Sequence, residues 1–282
     1  MSKYVLFIMI TLLHFTQVQA SEYKPFEIPR TQVIPIQDSQ SNKQYELYVK
    51  LPEGYADNKD KKYPVVYFTD AVWHIELLSA ATAFILEDVI LVGVSWQTDI
   101  SSALQQKYGD HASRFTDYSF WTKTNPNHPL LKFGQADSHL AFIRNDVFKT
   151  IESNYQTSPD NRSYFGYSLG GLFGAYTLLT QPETFKHYIL GSPSVQLLTK
   201  EDSAIEFTSK NIDANVYISH GDLETTSSEP IATFVALLNK RNDKKLAITY
   251  KVIKGDHQSA FPATGISGVT WLAELLNEKD VK

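Results

Sequence analysis

The stretch Gly166-Tyr167-Ser168-Leu169-Gly170-Gly171 constrains this chain more than any other. It is a G-x-S-x-G with one further glycine behind it. Residues 162–165 before it read as a short strand, and residues 172–180 after it read as a helix. A strand that turns at once into a helix lifts one serine hydroxyl clear of the backbone, and the turn has no room for bulky flanks. Gly166 and Gly170 supply that room, because a missing Cβ permits strained backbone and close approach. Gly171, Gly174 and Ala175 then let the helix lie close against a sheet. The bare pattern is weak, and an ordinary glycine-rich turn would carry it too. The flanking strand, the small-residue helix and suitable partners downstream make Ser168 the candidate nucleophile.

The rest of the chain alternates strand and helix signals. Residues 31–37 and 44–51 read as an antiparallel hairpin across Asp38-Ser39-Gln40-Ser41-Asn42. Short apolar runs at 64–69, 89–95, 185–190, 215–219 and 246–253 have the character of buried strands. Helical patterns fall at 75–86, 136–155, 231–239 and 266–276, the second of them clearly amphipathic through Leu140, Ile143, Val147 and Ile151. Residues 158–161, Ser-Pro-Asp-Asn, read as a turn. The predicted fold class is α/β: a mostly parallel central sheet with helices on both faces. Residues 96–135 are long, aromatic and weakly periodic, which marks them as an inserted lid-like loop.

Length and composition set outer bounds. The chain has 282 residues, of which 43% are hydrophobic, enough for one large core. Its first twenty residues carry Lys3, an apolar run at 4–13, and Val18-Gln19-Ala20 as a small-residue cleavage site. This reads as a secretory signal peptide, leaving a single domain from Ser21 onward in a periplasmic or secreted protein. An uncleaved anchor is the alternative, although the apolar run is too short to span a bilayer as a helix. The formal net charge of −5 argues against a nucleic-acid partner. The absence of cysteine excludes disulfides, thiol catalysis and thiolate zinc sites. The histidines show no metal-binding spacing. Asp70 and His74 stand four apart, but no metal and no cofactor are expected. The expected partner is a small-molecule substrate.

A serine hydroxyl needs a base to take its proton, and the base needs a partner to hold its tautomer. In a doubly wound sheet such groups gather just beyond the carboxyl ends of the strands. His257 alone among the eight histidines sits in the loop after the final strand. The acid should precede it, and the loop after the strand at 215–219 offers Asp222 and Glu224. Asp256 is badly placed to reach the ring of its own neighbour. The oxyanion donors should be two backbone N–H groups. One belongs to Leu169. The other falls in the loop after residue 69, at Val72 or its neighbour Ala71. Without an oxyanion role, Asp70 to His74 would be a plain strand-to-helix turn capped by Asp70. Trp73, His74, Arg114 and Tyr167 are the candidate pocket residues.

Taken together, residues 63–70, Phe165 to Leu172, Gly191-Ser192-Pro193-Ser194, Gly221-Asp222-Leu223-Glu224 and Gly255-Asp256-His257 resemble the Putative esterase family of α/β-hydrolases. That family includes enterochelin-type siderophore esterases, S-formylglutathione hydrolases, feruloyl esterases and mycolyltransferases. The resemblance spans most of the chain and implies the α/β-hydrolase fold. Many hydrolases of this fold read His-Gly-x-x-Asp in the acid loop, a register that selects Glu224 over Asp222. In the family the second oxyanion donor follows an Asp-Gly pair, where this chain has Asp70-Ala71. The family's Arg-x-x-Asp ahead of the lid matches Arg114 with Asp117, either shaping the acyl or leaving-group pocket or forming a surface or structural ion pair.

The expected activity is therefore hydrolysis of carboxylic esters through an acyl-enzyme. A siderophore trilactone esterase and an acyltransferase use the same three residues and stay open as alternatives, as does a binding protein that kept the fold. An iron-loaded catecholate is anionic and wants a basic, aromatic cleft. Aromatics are plentiful in residues 96–135, but the basic residues there are few: Lys107, Arg114, Lys123 and Lys132.

Overall fold

The computed structural model describes residues 24–122, 126–199 and 211–280. The signal segment read at residues 1–20, its cleavage site before Ser21, and Lys123 lie outside the described residues.

Among the described residues eight strands form one sheet: β1 (Thr31–Gln37), β2 (Gln44–Lys50), β3 (Tyr63–Phe68), β4 (Ile90–Val94), β5 (Thr157–Tyr167), β6 (His187–Gly191), β7 (Asp213–Gly221) and β8 (Lys245–Ile253). Their order is β1-β2-β4-β3-β5-β6-β7-β8. β1 pairs antiparallel with β2, and β2 with β4. From β4 through β8 every pairing is parallel. The α/β reading of the sequence is the observed architecture.

Helices cover both faces, and residue alternation along each strand sorts the two cores. Val65, Tyr67 and Tyr164 face one layer, with α4 (Ala136–Phe142), α5 (Phe148–Asn154), α6 (Leu169–Thr180) and α7 (Ser228–Lys240). Val66, Phe68 and Phe165 face the other, with α1 (Ala71–Ile85) and α8 (Ala260–Asp280). All residues of β4 and β6 are buried, as continuous apolar runs require in strands covered on both sides. Among the described residues no helix is long and apolar enough to cross a membrane.

Three features depart from the sequence-based expectation. Residues 158–161 do not form a turn but lie within β5. Tyr63 pairs with Thr157 and Val65 with Arg162, so the extra residues are accommodated by a bulge rather than a break. The helix expected over 136–155 is continuous but passes through a π-helical turn at Ile143–Val147. Residues 96–135 are not structureless. They hold α2 (Ser102–Tyr108), a 3-10 turn at Asp110–Ser113, and α3 (Arg114–Asp117).

The turn from β5 into α6 explains its own glycines. Ser168 sits at φ 57° and ψ −115°, a conformation that L-residues rarely adopt. A Cβ on Gly166 would lie 2.5 Å from the carbonyl carbon of Gly170 and 2.6 Å from the hydroxyl of Tyr164. Both neighbours are buried, so they have little room to yield. The variant Gly166→Ala is expected to lose about 1–3 kcal/mol of stability, the usual range for overpacking, read as a lower urea midpoint at unchanged m-value.

Candidate active site

β3, β5, β7 and β8 each deliver a functional segment to the same edge of the sheet. β5 ends at Tyr167 and places Ser168 on the turn. β7 ends at Gly221, three residues before Glu224, and β8 ends at Ile253, four residues before His257. The Nδ1 of His257 lies 2.7 Å from Glu224 Oε2. Nδ1 donates there, because the carboxylate can only accept, and this leaves Nε2 as the free base. Ser168 and His257 line one cavity of about 420 Å³ together with Trp73, His74, Arg114, Tyr167, Gln258 and Phe261.

Glu224 is buried. Burial pushes its carboxyl upward, but hydrogen bonds from Ser192, the Gly221 N–H and His257 outweigh that and hold it below the ordinary carboxylate value. It therefore stays ionised facing His257. The two rival acids have other work. Asp222 Oδ1 accepts the Gly255 N–H at 2.7 Å and so ties the loop carrying His257 to the end of β7. Asp256 Oδ1 accepts the N–H groups of Gln258 and Ser259, at 3.1 and 2.8 Å, and the Ser259 hydroxyl at 2.7 Å.

The oxyanion candidates occupy helix starts. Leu169 is the first residue of α6 and Val72 the second of α1. N–H groups at these positions have no intrahelical acceptor. The side chain of Val72 faces a neighbouring groove with Ser95, Trp96 and Gln97, so only its backbone is available for such a role. Tyr164 bridges the two turns: it donates its hydroxyl to the Gly170 carbonyl at 2.7 Å and stands 3.2 Å from the Thr69 hydroxyl.

All four candidate pocket residues, Trp73, His74, Arg114 and Tyr167, line the cavity. Of the two readings of Arg114 with Asp117, the ion pair between them does not form, and Arg114 lines the cavity. Arg114 donates from both Nε and an Nη to the two oxygens of Asp70, each at 2.9 Å. Asp117 instead accepts from Lys43 Nζ at 2.9 Å and from the Tyr45 hydroxyl at 3.1 Å. Residues three apart on a helix share a face, yet each of these side chains takes its partner from another element, Arg114 from the end of β3 and Asp117 from the β1–β2 turn and β2. Asp70 does not cap α1 with its side chain. Fully buried, it also accepts the indole N–H of Trp96 at 2.6 Å. Arg114 stacks its guanidinium on Trp73, 5.0 Å from the ring centre. Among the described residues no cluster of three or more His, Asp or Glu could hold a metal.

Sequence reasoning missed the Asp70 network, Phe261, Gln258 and the hydroxyl of Ser192, which donates to Glu224 Oε1 at 2.6 Å. The only signal for Ser192 was its place in Gly-Ser-Pro-Ser, directly after a strand.

A family model described as "Putative esterase" matches residues 39–279. The chain belongs to this family. It is a carboxylesterase-type hydrolase, and ester hydrolysis is its chemistry. It is 29% identical to the ferri-bacillibactin esterase BesA of Bacillus subtilis, over 71% of this chain and 72% of that one. It is 25% identical to the siderophore triacetylfusarinine C esterase of Aspergillus fumigatus, over 61% of this chain and 58% of that one. Among solved structures, the BES protein of Bacillus cereus superposes with a TM-score of 0.74 at 23% identity, over 89% of this chain and 99% of that one. An IroE-like serine hydrolase of Shewanella oneidensis gives 0.70 at 20% identity, over 86% and 80%. At those identities the structural likeness establishes the fold.

Two outcomes follow from the buried charges. Replacing Asp70 by Asn leaves Arg114 buried against a neutral partner, and is expected to destabilise the protein by about 3–5 kcal/mol. The double variant Asp70→Asn/Arg114→Met should recover part of that loss in urea denaturation. His74, whose Nδ1 donates to the Thr69 carbonyl at 2.9 Å, is pushed down from 6.5 to about 4, chiefly by burial. Its folded state therefore resists protonation. As pH falls below 6.5 the unfolded chain takes up the proton first, so stability declines until about pH 4. This one group contributes on the order of 3 kcal/mol to that decline. The slope of stability against pH over that window should flatten in His74→Gln.

Proposed function

We propose that Ser168, His257 and Glu224 carry out the ester hydrolysis, and that the ester is that of a siderophore. The observation that carries the first part is the 2.7 Å bond between His257 Nδ1 and a buried, ionised Glu224, in the cavity that Ser168 lines. His257 Nε2 takes the proton of Ser168 as Oγ attacks the ester carbonyl. The N–H groups of Leu169 and Val72, at the starts of α6 and α1, hold the developing oxyanion. His257 then gives the proton to the leaving alcohol. Water, deprotonated by the same nitrogen, clears the acyl group from Ser168.

The siderophore reading is supported by the named activities of the relatives in Bacillus subtilis and Aspergillus fumigatus. The cavity is consistent with it: Trp73, Tyr167 and Phe261 offer flat aromatic surface to a ring-bearing ester. The leader read at residues 1–20 supports export, to the periplasm or beyond.

The test is turnover of p-nitrophenyl esters from acetate to decanoate and of a catecholate trilactone, with Ser168→Ala as control. Activity on the trilactone should exceed that on the simple esters, and the control should lose at least about 10³-fold in kcat. Wild-type activity no greater than the control on every ester would reject the assignment of Ser168. Turnover of simple esters alone would reject the siderophore. An acyl-enzyme released only by an added alcohol would make the protein a transferase.

A further inference from the structure

Ser192 follows β6 directly and holds φ at 39°. A side chain in that left-handed region is strained, and glycine would adopt it with far less strain. Its backbone is otherwise ordinary, with the N–H donating to the Ser219 carbonyl at 2.7 Å. What a glycine would lack is the hydroxyl. That hydroxyl donates to Glu224 Oε1 at 2.6 Å. The Gly221 N–H donates to the same oxygen at 2.7 Å. The other oxygen, Oε2, is the one that meets His257.

The remaining contact of Ser192 reaches the base itself. The Tyr167 hydroxyl stands 3.0 Å from Ser192 Oγ and donates to the main-chain carbonyl of His257 at 2.6 Å. Burial pushes that phenol up to about 12, so it keeps its proton as a donor. Two hydroxyls in contact thus hold the acid on one side and the backbone of the base on the other. The terminal torsion of a glutamate is broad and roughly two-fold. Two donors on Oε1 define the carboxylate plane, whereas one leaves it free to twist away from His257.

We infer that Ser192 is a positioning residue for the hydrolysis: its hydroxyl sets which oxygen of Glu224 faces His257 and in what plane. This rests on the roles proposed above for Ser168, His257 and Glu224. It also accounts for a strained serine at a position where glycine would be more comfortable.

The deciding variant is Ser192→Gly, which removes the hydroxyl and relieves the strain together. Its kcat is expected to fall about tenfold or more with KM within about twofold, while its Tm stays equal to or above that of the wild type. A structural tie would lower both. Tyr167→Phe, which keeps the ring, should likewise lower kcat. In parallel, the far-downfield proton resonance of His257 Nδ1–H, which reports the bond to Glu224 without any substrate, should move upfield or broaden in Ser192→Gly. Wild-type kcat in Ser192→Gly, an unmoved resonance, or a Tm that drops in step with kcat would each overturn the inference. Wild-type protein no more active than Ser168→Ala would reject the underlying reading instead. The resonance then still decides whether Ser192 orients Glu224.

Discussion

The Asp70 carboxylate is the interaction on which the site is assembled. It is wholly buried, yet both oxygens are satisfied, by two nitrogens of Arg114 and by the indole of Trp96. A buried charge left without such partners would cost several kcal/mol. The partners come from the segment between β4 and α4, so the ion pair fastens that segment to the turn between β3 and α1. Lys43, with bonds to Asp117 and Gln135, fastens its far side. The short helices in that segment are held by charge and hydrogen bonds more than by an apolar stripe of their own.

The same edge of the sheet concentrates backbone strain. Asp70, Ser168 and Ser192 all take positive φ, at 55°, 57° and 39°. Each follows the end of a strand, β3, β5 and β6, and these strands are neighbours. Strain of this kind persists only where the surroundings over-determine it, and it collects at functional sites. Here close packing supplies the constraint. Tyr164, Thr69 and Gly170 interlock beneath the turns, leaving the chain no relaxed path between strand and helix.

Electrostatics then divide the polar residues into fixed and working groups. Arg114 is neutralised by Asp70, and its stacking on Trp73 makes it part of an aromatic wall more than a free cation. His74 is held neutral by burial. Glu224 is held anionic by its three donors despite its burial. His257, with a half-exposed side chain, presents its ring to the cavity.

The order of strands and helices was legible in the chain because it depends on local periodicity and on continuous apolar runs. So were the positions of Ser168, Glu224 and His257, since each lies a few residues beyond a strand and strand ends can be read from composition. Helix starts were harder: α1 begins at Ala71 and α8 at Ala260, several residues before any apolar period is established. The bulge within β5 was invisible because Ser-Pro-Asp-Asn carries turn chemistry, and only the pairing of Thr157 and Arg162 with β3 on either side keeps it within the strand. The side-chain partners were decided by the tertiary structure alone. Asp70 meets Arg114 across 44 residues, Ser192 meets Glu224 across 32, and Tyr167 meets His257 across 90. No local pattern encodes such meetings, because they depend on which strands lie side by side and where each one ends.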